Sequence, residues 1–165
     1  GGTTLGEKVR EILLDTSLKP CDMSELLLFN ASRAQLLHDV VRPALEKENT
    51  IVLADRFAGS TLAYQGYARG GNLEQIQKVL DVAVGDLWPH QTWLLDISLE
   101  ESRRRRGIRG TEDRLEMEGE VFRDKVRAGY LELSEKFSWK KVSAEAETKE
   151  ICGIIFNDMV LYLRK

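Results

Sequence analysis

Cysteine is scarce. Cys21 and Cys152 are the only two in 165 residues, and their separation carries no metal-ligand spacing. They read as two reduced thiols in a cytoplasmic protein rather than a disulfide framework. No apolar run approaches the roughly 18 residues needed to cross a bilayer, and no signal peptide opens the chain. There is no internal repeat, and the only low-complexity segment is a short run of arginines. Charge of one sign does not dominate either: a net charge of -3 argues against a whole-surface nucleic-acid binder, so any anion site has to be local. What is present is ordinary for a soluble globular protein, 42% hydrophobic and 31% charged, in a length that fits one domain, residues 1–165.

The chain is organised around residues 50–70, TIVLADRFAGSTLAYQGYARG. Residues 51–54 (IVLA) have the pattern of a strand buried on both faces, and the run ends abruptly in Asp55 and Arg56. In open parallel sheets, ligands sit beyond the carboxyl ends of the strands. Arg56 there can fork onto a phosphate, and Asp55 can draw in Mg²⁺ directly or through its water shell. The plainer alternative is an ion pair closing a strand. The following residues favour the site: on a helix, Ser60 and Tyr64 share a face, as do Thr61 and Gln65. A ring, two hydroxyls and an amide would then line the edge that holds the guanidinium.

Elsewhere, residues 1–6 read as a loop and 7–14 as a short helix. Asp22 and Glu25 form a capping box for a long helix whose apolar stripe runs through Met23, Leu27, Ala34, Leu37, Val41 and Leu45, with a kink expected at Pro43. Asn72 and Gln75 cap a helix carrying Leu73, Ile76, Val79, Leu80 and Ala83. Residues 93–97 (WLLDI) read as a second buried strand and 140–143 as a third, weak one. Phe122, Val126, Tyr130, Leu133 and Phe137 mark an amphipathic helix, and 148–163 a closing helix. Helices alternating with short apolar strands imply an α/β fold with a parallel sheet.

Phe29 and Arg33 lie one turn apart on the long helix, so both can face one space; a core ring beside a solvated guanidinium is the plainer alternative. Residues 102–118, SRRRRGIRGTEDRLEME, place five arginines between Arg103 and Gly110 with no acid among them. A solvated face, a nucleic-acid patch and a lid made flexible by Gly107 and Gly110 are all open from composition. No aromatic is interleaved, which weakens the single-strand reading.

Together DRFAGSTLAYQGYARG, the opening GGTTLGEKVREILLD, ELLLFNASRAQ and the arginine run ending DRLE resemble thymidylate kinases, which phosphorylate dTMP to dTDP with ATP. The blocks stand in the family's order and span most of the chain. The resemblance implies a P-loop NTPase-like three-layer α/β/α fold with a parallel sheet. It places Phe29 against thymine, Arg33 on a base carbonyl, Arg56 on the dTMP phosphate, Thr61 at the polar edge of the base and Tyr64 against the sugar where a 2′-hydroxyl would need room. Gln65 helps close the pocket and Ser60 supports it. Arg105, Arg109 and Arg114 fall on lid arginines of the family's bacterial form, with Arg109 the first choice for the transferred group. Mg²⁺ bridging the ATP phosphates and homodimerisation through packed helices are implied as well, the helix from Met23 offering a face. One departure stands out. The GxxxxGK[ST] loop that cradles ATP phosphates is absent from the 165 residues. Either the sequence is a piece of a longer product that carries the loop, with its strand and helix, or the protein does without it and binds nucleotide without transfer.

Overall fold

In the computed structural model of the chain, residues 2–106 and 118–164 are described. The fold is helix-rich α/β with a small parallel sheet, and its described residues divide into two compact units, 2–89 with 118–130 and 90–106 with 131–164.

The first unit is helical. Helix α1 (Thr4–Leu14) starts where the Thr3 hydroxyl accepts the Gly6 N–H at 2.9 Å, so the expected opening loop is shorter than residues 1–6. Helix α2 (Asp22–Leu36) packs on α1 and on α5 (Leu73–Val84). The expected capping box at its start does not form: Cys21 is the cap residue, with no side-chain cap bond, and Glu25 is buried elsewhere. The expected stripe is displaced too. Of that stripe Leu37 is buried, but Met23, Leu27 and Leu45 are exposed, and α2 instead buries Leu26 together with Glu25 and Asn30, whose polar groups are satisfied by hydrogen bonds. Pro43 has no N–H to give and its ring crowds the carbonyl four residues back. The preceding turn, Leu37–Val41, widens accordingly, with the Arg42 N–H donating to Leu37 O, before α3 (Arg42–Leu45). Helix α4 (Ala58–Thr61) runs into a second wide-turn segment, Leu62–Ala68, the kind of irregularity often found at functional sites. It ends where Gly71 N–H donates to Gln65 O at 3.1 Å; a Cβ at Gly71 would lie 2.5 Å from that oxygen. Helix α5 begins at the expected cap, Asn72 accepting the Gln75 N–H at 3.0 Å, and buries Ile76, Leu80 and Val84 at helical spacing. Each such side chain contributes about 1.5–3 kcal/mol.

The second unit holds the sheet. Strands β1 (Trp93–Asp96) and β2 (Lys140–Ser143) pair in parallel, Trp93 opposite Lys140 and Asp96 opposite Ser143. The expected full burial of β1 does not hold, since its side chains are half-buried and Leu95 is exposed. Asp158 on α8 (Thr148–Leu163) accepts from Trp93 Nε1 at 2.7 Å and from Lys140, tying that helix to both strands. Helix α6 (Leu99–Arg106) also lies here, and α7 (Gly119–Lys136) passes from the first unit into the second.

The expected strand at 51–54 is not formed. Among the described residues the sheet has two strands, and Ile51 and Leu53 remain 51% and 74% exposed. An apolar run becomes a buried strand only when neighbours take both its backbone groups and its faces, and here neither is supplied.

Candidate active site

Two side chains from distant parts of the sequence meet first. Arg33 on α2 donates from Nη2 to Thr61 Oγ1 at 2.8 Å and to Phe57 O at 3.3 Å, and from Nη1 to Asn30 Oδ1. Its guanidinium carbon lies 5.5 Å from the Phe57 ring centre. These partners are all neutral. Burial therefore pushes the Arg33 pKa down to about 10, with no carboxylate among the described residues to offset it. A buried cation held only by neutral groups retains the capacity to bind an electron-rich ligand atom.

Arg56 sits in the bend between the apolar run and α4, with φ of 64°. A non-glycine residue there costs on the order of 1–3 kcal/mol, and such residues cluster at functional sites. Its Nη1 donates to Tyr64 Oη at 3.0 Å and its guanidinium carbon lies 5.5 Å from the Tyr64 ring centre. Tyr64 is itself wedged edge-on against Phe122 and Tyr130, at 6.0 and 6.4 Å between centres. Tyr130 shares a 2.6 Å hydrogen bond with Ser60, and its burial raises the phenol pKa. Asp55 is exposed beside Arg56.

The helical spacing therefore sorts the signature as expected, but onto two sides. Ser60 and Tyr64 both reach Tyr130, while Thr61 and Gln65 both reach α2. The expectation that all four line the Arg56 edge is not met: Gln65 donates at 2.8 Å to Glu25, which is 1% exposed. Glu25 also pairs with Arg69 at 3.3 Å, and Arg69 in turn with Glu118 at 2.5 Å. An open cleft of about 300 Å³ lies at this cluster, lined among others by Lys19, Asp22, Arg69 and Glu118. Arg69 is already committed to Asp22, Glu25 and Glu118, and none of Arg33, Arg56 and Tyr64 lines the cleft.

Phe29 is half-buried one turn before Arg33. Arg105 lies on α6, paired with Glu101 at 2.6 Å, and Arg104 pairs with the same carboxylate, holding its pKa down to about 2. The sequence run had no acid inside it; helical geometry brings one from just upstream. Gly107, Arg109, Gly110 and Arg114 lie outside the described residues. Sequence reasoning missed Asn30, Glu25 and Tyr130 as partners of the signature. Asn30 could have been found from its spacing of three to Arg33 on one helix.

A fork-shaped cation over an aromatic ring and a second cation bonded to a hydroxyl are the side-chain types that suit a flat, phosphate-bearing ligand. Comparison with known proteins is more specific. The thymidylate kinase family model matches residues 1–153. The thymidylate kinase of Prochlorococcus marinus (strain NATL2A) is 42% identical over 161 residues, covering 96% of this chain and 75% of the relative. That of Thermoanaerobacter sp. (strain X514) is 47% identical over 137 residues, 83% and 66%, and that of Thermosipho africanus (strain TCF52B) is 48% identical over 134 residues, 81% and 66%. The chain belongs to the thymidylate kinase family.

Proposed function

We propose that the chain binds dTMP through Arg33, Thr61, Arg56 and Tyr64 and serves its phosphorylation to dTDP with ATP as donor. The observation that carries this reading is the pairing of Arg33 with Thr61 and of Arg56 with Tyr64, two cation sites that both draw on the 55–70 signature in a chain of this family. Arg56 takes the phosphate, and Arg33 with Thr61 takes the base edge. Phe29 supplies the stacking face, worth roughly 1–3 kcal/mol for a base on an aromatic ring. Tyr64 is fixed by Arg56, Phe122 and Tyr130, so it can exclude a 2′-hydroxyl without moving; Ser60 anchors Tyr130 and Gln65 anchors the helix through Glu25.

Transfer of a phosphoryl group is mostly positioning and charge stabilisation. Arg105, Arg109 and Arg114 are the proposed cations for the transferred group, in a lid spanning about 102–118. Arg105 would exchange its pairing with Glu101 for the transferred group. Among the described residues no group of three His, Cys, Asp or Glu is gathered. The single exposed carboxylate of Asp55 suits Mg²⁺, which uses few protein ligands together with phosphates. When bound, Mg²⁺ neutralises charge on the ATP phosphates. The reading includes one domain over 1–165 in a P-loop NTPase-like three-layer arrangement, a cytoplasmic setting and a homodimer across the α2 face that exposes Met23 and Leu27.

The test is ADP release with ATP, Mg²⁺ and dTMP from a product that carries the phosphate-cradling loop, set against dCMP and dGMP, alongside calorimetric binding of dTMP to the 165-residue chain. Turnover preferring dTMP is expected. Preference for another monophosphate, or failure to bind dTMP at all, overturns the reading.

A further inference from the structure

Asn30 is 4% exposed and makes contacts in two directions. Its Nδ2 donates to Leu26 O, one turn back on α2, at 2.8 Å, and its Oδ1 accepts from Arg33 Nη1. A carboxamide has one donor end and one acceptor end. With the NH₂ spent on a helix carbonyl, the oxygen is obliged to face Arg33. The other corner of the guanidinium is held independently by Thr61 Oγ1 and Phe57 O. Arg33 is thus clamped at both Nη atoms, and among the described residues by neutral groups, so its orientation is set before a ligand arrives without its charge being paired.

We propose that Asn30 is a positioning residue for base selection: it holds Arg33 so that the remaining N–H donors meet the 4-carbonyl of a pyrimidine, favouring a 4-keto over a 4-amino base. This rests on the reading of Arg33 as base-facing. Guanidinium donates and never accepts, so a 4-amino group brought against a fixed Arg33 sets donor against donor and leaves buried N–H groups unpaired. An Arg33 free to rotate escapes that conflict by turning to a ring nitrogen or a second carbonyl. Fixing it therefore adds affinity for the keto base through preorganisation, and it adds discrimination because the escape is closed.

The measurement is calorimetric titration of the 165-residue chain with dTMP and dCMP, for the wild type and for Asn30→Ala and Asn30→Ser. A serine hydroxyl can still donate to the carbonyl four residues back but is too short to hold Arg33, and thermal melts identify which variants remain folded. Both variants are expected to bind dTMP about tenfold more weakly with dCMP changed less than about twofold, narrowing the preference about tenfold. In an Arg33→Ala background, Asn30→Ser should have no further effect. Equal losses for the two nucleotides, or losses additive with Arg33→Ala, would show Asn30 to be packing alone and overturn the proposal while leaving the thymine reading intact. If Arg33→Ala leaves dTMP binding unchanged, the base-facing reading fails first and the role of Asn30 falls with it.

Discussion

Removing the Arg56 side chain separates the phosphate-holding role from a structural one. In Arg56→Ala, one charged-donor contact to phosphate is lost at about 1.5–3 kcal/mol, which is about 10- to 150-fold in dissociation constant. The side chain also gives Tyr64 a 3.0 Å hydrogen bond and a cation over its ring, and those losses fall on stability at about 1 kcal/mol each or less. The two effects separate by choice of ligand. Thymidine has the base and sugar but no phosphate, so its affinity should stay within about twofold, the factor that a few tenths of a kcal/mol allows. Calorimetric titration with both ligands gives the comparison directly, and a melt corrects for any fold effect. Arg56→Gly supplies a control, because Arg56 has φ of 64°. Glycine relieves that backbone cost and alanine does not, so Arg56→Gly should be more stable than Arg56→Ala by about 1 kcal/mol. Equal weakening of thymidine and dTMP would refute the phosphate assignment and leave Arg56 as a support for Tyr64.

Three further outcomes follow from the packing. Glu25→Ala strands Gln65 and one side of Arg69 in a buried setting, so urea denaturation should show a loss of about 3 kcal/mol; a loss under about 1 kcal/mol would mean the cluster is not coupled. Gly129→Ala puts a Cβ 2.7 Å from Tyr67 Cβ and Cγ. The helix-propensity gain of about 1 kcal/mol should be outweighed by overpacking of about 1–3 kcal/mol, and a raised melting temperature would contradict it. Glu101 is held down to about 2 by hydrogen bonds from Arg104 and then Arg105. Its folded pKa lies below the unfolded value, so its contribution is present above about 4.5 and is lost as pH falls through about 2. The stability gap between wild type and Glu101→Gln should therefore be full at neutral pH and close on acidification; a constant gap would refute the pairing.

The helices were largely legible, since α5, α7 and α8 follow a local period that needs no tertiary information, although Phe137, past the end of α7, and Tyr162 on α8 are exposed rather than on a covered face. Asn72 as a cap and residues 140–143 as a strand were equally readable, for turn and strand chemistry is short-range. The local spacing also sorted the signature correctly, Ser60 with Tyr64 and Thr61 with Gln65. Three kinds of feature depended on the third dimension. Residues 51–54 have a strand's composition, yet a strand exists only through partners, and none is supplied among the described residues. Glu25 has a cap residue's spacing, yet it is drawn inward because Gln65 and Arg69, some 40 residues away along the chain, satisfy its charge. Arg33 and Phe29 could be placed on one helix from sequence, while the clamp of Asn30, Thr61 and Phe57 around Arg33 joins segments 24 and 28 residues apart. Local period determines which residues share a face; only packing decides what that face meets, because burial and hydrogen-bond satisfaction are properties of neighbours that sequence distance does not record.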